Sequence, residues 1–221
     1  HASLLPKLRG GAPIHHAIMD GYDKTGITIM YMDIKMDAGD IISQRETTIT
    51  KEDTLKSLHD RLSKMGKDLL LETLPNIISG NINPLKQDES EVTYGYNITK
   101  EDEKIDFTKT NTEVDNKVRA LNPTPGAYTT LNGKRLKVYD VRLTDRYYAN
   151  TIPGTIVGFE KDGIRVVAGN SEVILTDIAL EGKKRCLAKD YLNGVDKKEL
   201  LGVVLKWKKK RRKNKINILS L

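Results

Sequence analysis

Hydrophobic residues recur at helical spacing in one long segment of the chain. From residue 55 the apolar side chains fall three or four positions apart, which places them on one face of a helix. These residues are Leu55, Leu58, Leu62, Met65 and Leu69. Thr50, with a carboxylate three residues later, is typical of a helix N-cap, and Gly80 is typical of the residue after a helix end. The pattern predicts an amphipathic helix that ends near Ile78.

Two segments ahead of this helix have the composition of strands. Residues 27–32 and 41–49 are rich in β-branched and aliphatic side chains. Residues 13–22 predict a short helix, because Pro13 suits a first helical turn. The residues before Pro13 follow neither a helical nor a strand period, and we interpret them as a loop that leads into that helix. In α/β sheets, loops beyond the carboxyl ends of strands are where ligands bind.

The second half of the chain changes to short strands joined by tight turns. Asn132-Gly133, between two apolar runs, is a strong hairpin signal. A helix with Thr110 at its N-cap and Glu113 three residues later leads into this region. The expected strands are 127–131, 136–143, 154–159, 164–168, 173–178 and 199–205, with a short helix over 188–192. Such a series favours a small barrel or a sandwich.

These patterns predict a fold class of α/β followed by all-β. The α/β part offers only two strands and two helices, and we expect it to be the second half of a larger sheet domain. We expect an α/β part over 1–80, a linker over 81–97 and a β domain over 98–205. A disordered basic tail is expected over 206–221.

Composition narrows the picture only slightly. The chain has 37 Lys and Arg against 30 Asp and Glu, a net charge of +7. A basic protein favours anionic partners, with nucleic acid first. Eight of the basic residues lie between 206 and 215, however, so the rest of the chain is nearly neutral and its charge favours such a partner only mildly. The single cysteine, Cys186, excludes an internal disulfide and fits a reducing compartment. No apolar run approaches the roughly 20 residues of a membrane span, and we expect no signal peptide.

His1 and Asp37 are the candidates for chemistry. His1 heads the first loop, and Asp37 lies in a Gly-containing loop between the two predicted strands. A carboxylate can fix the tautomer of an imidazole and stabilise its charged form. Asp37 by itself is most simply interpreted as a turn residue, because Asp and Gly are common in turns. His15 and His16 are adjacent on a helix and do not face each other, so we predict no metal site.

Four segments resemble the 10-formyltetrahydrofolate-dependent formyltransferases. Residues 1–14, His-Ala-Ser-Leu-Leu-Pro-Lys-Leu-Arg-Gly-Gly-Ala-Pro-Ile, resemble the signature loop of that family. Residues 25–40, with Met-Asp-Ala-Gly-Asp at their end, are similar to its second catalytic loop. Residues 118–127, which contain Asn-Pro-Thr-Pro-Gly, resemble the start of its C-terminal domain, and Pro-Gly-Thr-Ile at 153–156 matches a later strand. The branch that acts on methionyl-tRNA is the most similar.

The resemblance implies an architecture and a reaction. The fold would be the second half of a Rossmann-like formyltransferase domain, a linker and an OB-like β-barrel that helps to hold a tRNA acceptor arm. The reaction would move a formyl group from 10-formyltetrahydrofolate to the α-amino group of initiator methionyl-tRNA, in translation initiation. We expect no metal, no membrane partner, a monomer and a cytoplasmic location.

The resemblance also implies site residues. The family uses Asn, His and Asp; His1 and Asp37 match the last two, and the Asn would lie two positions upstream of His1. Ser3, Leu4, Leu5 and Pro6 match the folate-contacting segment. We expect His1 to stabilise the oxyanion and transfer a proton, and Asp37 to orient and charge His1. Because upstream sequence is expected to be missing, we expect negligible activity from the chain alone.

Two alternatives remain open. The chain could come from a formyltransferase or hydrolase of the same superfamily that acts on another acceptor, such as an amino sugar or water. It could instead be a catalytically silent fragment that binds RNA through the barrel and the basic tail, whose charge would make that binding sensitive to salt.

Overall fold

Two antiparallel sheets and the helices between them make up residues 1–206, the part of the chain that our computed structural model describes. The basic tail predicted over 206–221 lies, except for Lys206, outside the described residues. The helices are α1 (Pro13–Met19), α2 (Leu55–Ser79), α3 (Asn111–Ala120), α4 (Ala188–Leu192) and α5 (Lys197–Leu200). The strands are β1 (Lys24–Met30), β2 (Ile41–Thr48), β3 (Ala127–Leu131), β4 (Lys134–Thr144), β5 (Ile156–Glu160), β6 (Gly163–Ala168), β7 (Ser171–Leu180) and β8 (Cys186–Leu187).

The long helix α2 packs on the two-stranded sheet of β1 and β2. Its buried residues Leu58, Leu62 and Leu69 lie in one cluster with Ile18 of α1 and Ile27 of β1. The helical spacing of apolar residues therefore predicted the correct buried face. None of the helices within residues 1–206 combines the length and the apolar character that a membrane crossing requires.

The start of α2 differs from the prediction. Thr54, not Thr50, is the N-cap, and its side chain forms a capping box with Ser57. The backbone N–H of Thr50 instead donates to the carboxylate of Asp53 at 2.9 Å, which closes a turn just before the helix. Gly80 ends the helix in a left-handed conformation, with φ at 75°, as predicted.

The second sheet has the strand order β3-β4-β7-β6-β5, with β8 beside β7. The predicted hairpin turn is confirmed: Asn132 and Gly133 both have positive φ, at 49° and 83°. The strand predicted over 199–205 is wrong, because α5 occupies its first residues. Asp196 caps that short helix by accepting a hydrogen bond from the backbone N–H of Lys198. Beyond α5, an isolated bridge between Val204 and Thr155 and a few backbone hydrogen bonds join the chain to the start of β5.

The second sheet does not close into a barrel within residues 1–206, since no ladder pairs β3 with β5, and the expected OB-like barrel is therefore not shown. Residues 202–206 form hydrogen bonds with both edges of the sheet. The backbone N–H of Leu205 donates to the carbonyl of Gly154 at 2.8 Å, just before β5. The backbone N–H of Lys206 donates to the carbonyl of Thr130 on β3 at 3.3 Å. Residues 202–203 form further backbone hydrogen bonds with Ile156, and residues 103–105 pair with Tyr128. Both edge strands therefore have backbone partners, although no ladder joins them to each other.

Helix α3 connects the two sheets by packing against α1. Its buried Arg119 donates to the backbone carbonyl of Asp53 at 2.9 Å, in the turn before α2. The same guanidinium donates to the carboxylate of Asp115 at 2.9 Å, one turn earlier on α3. These bonds fix α3, and the sheet that follows it, relative to the first sheet.

Candidate active site

The first twelve residues form a loop that is held against β1. The backbone nitrogen of His1 donates to the carbonyl of Thr28, and the Thr28 N–H donates back to the His1 carbonyl, both at 2.9 Å. Leu8 adopts a left-handed conformation with φ at 57°, which is uncommon for a side chain of its size. Gly10 has φ at 119°, a region that glycine enters without steric cost. The loop is thus a specific, partly strained conformation.

The imidazole of His1 is oriented by a backbone carbonyl. Its Nε2 lies 2.9 Å from the carbonyl oxygen of Leu8. Because a carbonyl oxygen can only accept, Nε2 carries the hydrogen in this bond. The other ring nitrogen, Nδ1, lies 3.6 Å from Oδ2 of Asp37. The His1 side chain is only 10% exposed, so one edge of the ring is fixed by the loop and the other faces a carboxylate.

Asp37 lies in the connection between β1 and β2. It has φ at 55°, a left-handed conformation that Asp tolerates better than most side chains. Its Oδ2 accepts a hydrogen bond from the backbone N–H of Gly10 at 2.8 Å. The structure therefore brings together the two residues that the sequence singled out, and Gly10 supplies a second contact between their loops. The connection joins two antiparallel strands and is not a strand-to-helix loop.

Gln87, in the segment predicted as a linker, is a residue that the sequence analysis missed. Its side chain is buried, and Nε2 donates to the carbonyl oxygens of Asp37 and Gly39, each at 2.8 Å. Its Oε1 accepts two hydrogen bonds from the guanidinium of Arg9, at 3.0 and 2.8 Å. Gln87 therefore joins the loop of His1 to the loop of Asp37.

Arg9 is buried in the same network, with 2% of its side chain exposed. Besides Gln87 it contacts the carboxylate of Glu89 at 2.9 Å. Side-chain hydrogen bonds with Glu89 and, to a smaller extent, Tyr94 raise the pKa of the guanidinium, against the opposing effect of its burial. Its charge is thus compensated, and Arg9 holds Gln87 and Glu89 rather than facing open solvent.

Residues 93–97 run alongside the first loop. The backbone N–H of Arg9 donates to the carbonyl of Thr93 at 2.9 Å, and the N–H of Gly95 donates to the carbonyl of Arg9 at 2.8 Å. The N–H of Ala12 donates to the carbonyl of Gly95 at 2.9 Å. The two segments approach so closely that a Cβ on Gly10 would lie 2.8 Å from the Gly95 carbonyl oxygen. The glycine in the signature loop therefore allows backbone contact, and the predicted linker is part of the site.

Ser3, Leu4, Leu5 and Pro6 are held by β1 and β2. The hydroxyl of Thr28 donates to the Ser3 carbonyl at 2.7 Å and accepts from the Leu5 N–H at 3.1 Å. Gln44 of β2 donates to the Leu5 carbonyl at 2.9 Å. The Ser3 hydroxyl is itself engaged with the carbonyl of Lys7 at 2.6 Å. The side chains of Ser3 and Leu5 are buried, whereas Leu4 and Pro6 are half-buried.

The other histidines are separate from the His1–Asp37 pair. His16 contacts the Tyr96 carbonyl at 2.9 Å, and a hydrogen bond with Asp20 raises its pKa. His15 is half-buried, and burial lowers its pKa. Across residues 1–206 we find no group of three or more His, Cys, Asp or Glu placed to hold a metal ion.

Comparison with known proteins identifies both halves of the chain. The family model described as "Formyl transferase" matches residues 1–74, and the one described as "Formyl transferase, C-terminal domain" matches residues 97–196. A methionyl-tRNA formyltransferase from Bacillus velezensis is 52% identical over 197 residues, which cover 88% of this chain and 61% of that protein. The one from Bacillus subtilis is 50% identical over 208 residues, covering 92% and 65%. The chain thus spans less than two thirds of the length of these relatives.

A solved structure shares the fold. HypX from Aquifex aeolicus in complex with tetrahydrofolic acid superposes with a TM-score of 0.67 at 21% identity, covering 95% of this chain and 37% of that one. The motifs at His1 and Asp37 agree with the two matching family models. They also agree with the sequence identity of 50–52% to the Bacillus proteins. The chain belongs to the formyl transferase family.

Proposed function

We propose that the protein transfers a formyl group from 10-formyltetrahydrofolate to the α-amino group of initiator methionyl-tRNA, in translation initiation. The observation that carries the proposal is the His1–Asp37 pair, which lies in two loops that both resemble motifs of the family. The identity of 50–52% to methionyl-tRNA formyltransferases over most of the chain supports the acceptor.

The pair suits the chemistry of formyl transfer. The amine attacks the formyl carbon, and a tetrahedral intermediate with a negatively charged oxygen forms. A protonated His1 could donate a hydrogen bond to that oxygen, and Asp37 would stabilise the charge on its ring. The bond between the formyl carbon and the folate nitrogen then breaks. As it breaks, protonated His1 gives its Nδ1 proton to the folate nitrogen. The neutral Nδ1 then accepts the proton that leaves the amine, so His1 ends the reaction protonated, as it began.

The orientation of His1 adds a detail to these roles. Because the Leu8 carbonyl already accepts from Nε2, the Nδ1 edge, where Asp37 lies, is the edge we assign to proton transfer. Leu8 keeps its carbonyl in this position through its left-handed backbone conformation. In our proposal, Leu8 therefore orients the ring and Asp37 supplies the charge.

For the formyl donor, we propose contacts with Ser3, Leu4, Leu5 and Pro6. The Ser3 hydroxyl donates to a backbone carbonyl, and Leu5 is buried, so these two shape the loop. Leu4 and Pro6 keep part of their surface accessible and are the side chains we expect to touch the folate. We expect the donor to act as a substrate, with no metal or additional cofactor.

We propose a division into a catalytic part over 1–80, a connecting segment over 81–97, a C-terminal domain over 98–205 and a basic tail over 206–221. The gap between the two matched family models, from 75 to 96, supports the connecting segment. The hydrogen bonds of residues 202–206 to both edge strands support an OB-like barrel for the C-terminal domain. His1 and Asp37 lie in one chain, which supports a monomer, and a role in translation supports a cytoplasmic location.

A basic edge of the second sheet supports an RNA partner. Arg135 lies over the ring of Tyr128 at 4.3 Å, and Arg185 over that of Tyr139 at 4.1 Å. Lys183 and Lys184 extend the positive charge along the turn between β7 and β8. Ammonium and guanidinium groups of this kind contact RNA phosphates in a salt-dependent way.

Because we expect negligible activity from the chain alone, the decisive experiment uses the full-length protein. It measures transfer of labelled formyl from 10-formyltetrahydrofolate to methionyl-tRNA, to amino-sugar nucleotides and to water. Formyl-methionyl-tRNA as the main product is the expected result. A formylated sugar, or free formate, as the main product would assign the protein to another acceptor. RNA binding without any product would identify a catalytically silent chain. Asp37→Asn serves as the control for dependence on the proposed site.

A further inference from the structure

Two exposed tyrosine rings stack on each other beside the candidate active site. The rings of Tyr94 and Tyr96 have centroids 5.2 Å apart and planes within 2° of parallel. This is an offset stack, which aromatic pairs favour. Tyr94 is 46% exposed and Tyr96 63% exposed. A ring with one face covered and 63% of its surface exposed presents its other face to solvent.

The backbone places both rings on one side. Residues 93–95 pair with the first loop in the manner of a parallel strand, through the bridge between Arg9 and Tyr94 and the hydrogen bonds of Thr93 and Gly95 with Arg9. Side chains two positions apart in an extended segment share a face. Gly95 faces the opposite way and is buried: a Cβ added to it would lie 3.3 Å from the Ala12 carbonyl oxygen and from the Pro13 Cα.

The stack is also firmly attached. The bridge between Arg9 and Tyr94, and the backbone hydrogen bonds of Arg9 with Thr93 and Gly95, fix the backbone that carries the first ring. The carbonyl of Tyr96 contacts His16 of α1 at 2.9 Å. We name this surface the Tyr94–Tyr96 platform. It is attached to the same loop whose Gly10 N–H holds Asp37, so it lies close to the reacting groups.

We propose that the Tyr94–Tyr96 platform stacks the 3′-terminal nucleobase of the acceptor RNA, a positioning contact for the reaction. This inference rests on the proposed function. In an aminoacyl-RNA the reacting amine is esterified to the terminal ribose, so the terminal base lies within one nucleotide of His1 and Asp37. Exposed aromatic side chains bind nucleobases by stacking irrespective of the base identity. Tyr96, with its outer face open, is the ring that contacts the base.

A double-mutant cycle tests the contact. One arm compares the protein with Tyr96→Leu, and the other compares a methionyl-tRNA acceptor hairpin with the same hairpin lacking its 3′-terminal base. Affinity is measured without a formyl donor. We expect Tyr96→Leu to weaken binding of the intact hairpin about 5- to 150-fold, the range for loss of one stacked base. We expect it to have almost no effect on the abasic hairpin.

Matched variants separate stacking from other effects. Tyr96→Phe keeps the ring and should bind within about twofold of the parent. Tyr147→Leu removes another exposed tyrosine, 73% exposed on the loop after β4, and should have no effect. Thermal unfolding of each variant checks that an exposed substitution leaves the fold intact.

Three results would overturn the proposal. One is an equal effect of Tyr96→Leu on the intact and the abasic hairpins. Another is no effect on either hairpin. The third is a loss of 5-formyltetrahydrofolate affinity in Tyr96→Leu with unchanged RNA binding, which would assign the platform to a pterin ring. The proposed function is tested separately: absence of formyl-methionyl-tRNA with an intact base-dependent cycle would reject the reaction and keep the platform.

Discussion

Gln87 holds the backbone of Asp37 through a 2.8 Å hydrogen bond from its Nε2 to the Asp37 carbonyl oxygen. The second hydrogen of that amide goes to the carbonyl of Gly39, and both acceptor positions of Oε1 go to Arg9. Every hydrogen-bonding position of the Gln87 amide is therefore used. A segment that looks like a spacer in the sequence thus fixes the conformation of the carboxylate that faces His1.

Replacement of Gln87 tests this role. Gln87→Met has a similar length but leaves two buried carbonyls and part of the Arg9 guanidinium without partners. We expect a loss of about 2–4 kcal/mol in the free energy of unfolding, measured with urea. We also expect faster hydrogen exchange at the Gly10 amide, because the Asp37 carboxylate that accepts from it is released.

The neighbouring Lys86→Met is the matched control, since Lys86 is exposed. It should change neither the unfolding free energy nor the exchange of the Gly10 amide. If Gln87→Met lowers stability while Gly10 remains protected as in the parent, Gln87 supports the fold without positioning Asp37.

Asp37→Asn should separate charge from conformation. Asn tolerates positive φ about as well as Asp, so the loop should keep its shape. The ring of His1 loses the negative charge at 3.6 Å from its Nδ1. In the full-length protein, if it has the proposed activity, we expect the rate of formyl transfer to fall about 10²- to 10⁴-fold, the usual contribution of acid–base catalysis. Asp33→Asn, on the exposed part of the same loop, should retain activity; an equal loss in both variants would count against the assigned role.

Gly10→Ala should disrupt the contact between the first loop and residues 93–97. Its added Cβ would lie 2.8 Å from the Gly95 carbonyl oxygen, and its φ of 119° is unfavourable for alanine. Gly80 also has a positive φ, at 75°, but a Cβ added there would have no atom within 4 Å. We expect about 1 kcal/mol of destabilisation for Gly80→Ala and at least about 1 kcal/mol more for Gly10→Ala. Equal unfolding free energies would show that the loop can move away.

Asp53 should make stability depend on pH. Hydrogen bonds from Arg61, then from Thr50 and Ser57, hold its pKa well below the usual range. A carboxylate with a lower pKa in the folded state binds protons more readily when unfolded. Its stabilisation is therefore complete above the unfolded pKa of about 3.9 and is lost as the pH falls below that value.

Asp53→Asn should reveal this dependence in urea unfolding at several pH values. At pH 7 we expect the substitution to cost about 1.5–3 kcal/mol, the range for hydrogen bonds to a charged group. The difference from the parent should shrink as the pH falls from about 4 to about 2. Asp60→Asn, on the exposed side of α2, is the control and should change stability little at any pH. A difference that stays constant with pH would contradict the ionic contribution.

Local patterns in the sequence determined the elements and the two main candidate residues. The spacing of Leu58, Leu62 and Leu69 predicted the buried face of α2, because helical periodicity is a property of neighbouring residues. Asn132-Gly133 predicted its hairpin for the same reason. The motifs around His1 and Asp37 indicated the family and named the two residues that the structure brings together.

Only the tertiary structure decided how the site is held. Arg9 and Gln87 are 78 residues apart and carry no local signal of their contact, so no spacing rule could pair them. Tyr94 and Tyr96 lie in the segment predicted as a linker, and only its pairing with the first loop puts both rings on one exposed face. Closure of the second sheet into a barrel could not be predicted from spacing for a related reason, because closure depends on where distant edges meet. Periodicity determines which face of an element is buried, whereas hydrogen bonds between remote segments determine which residues form the site.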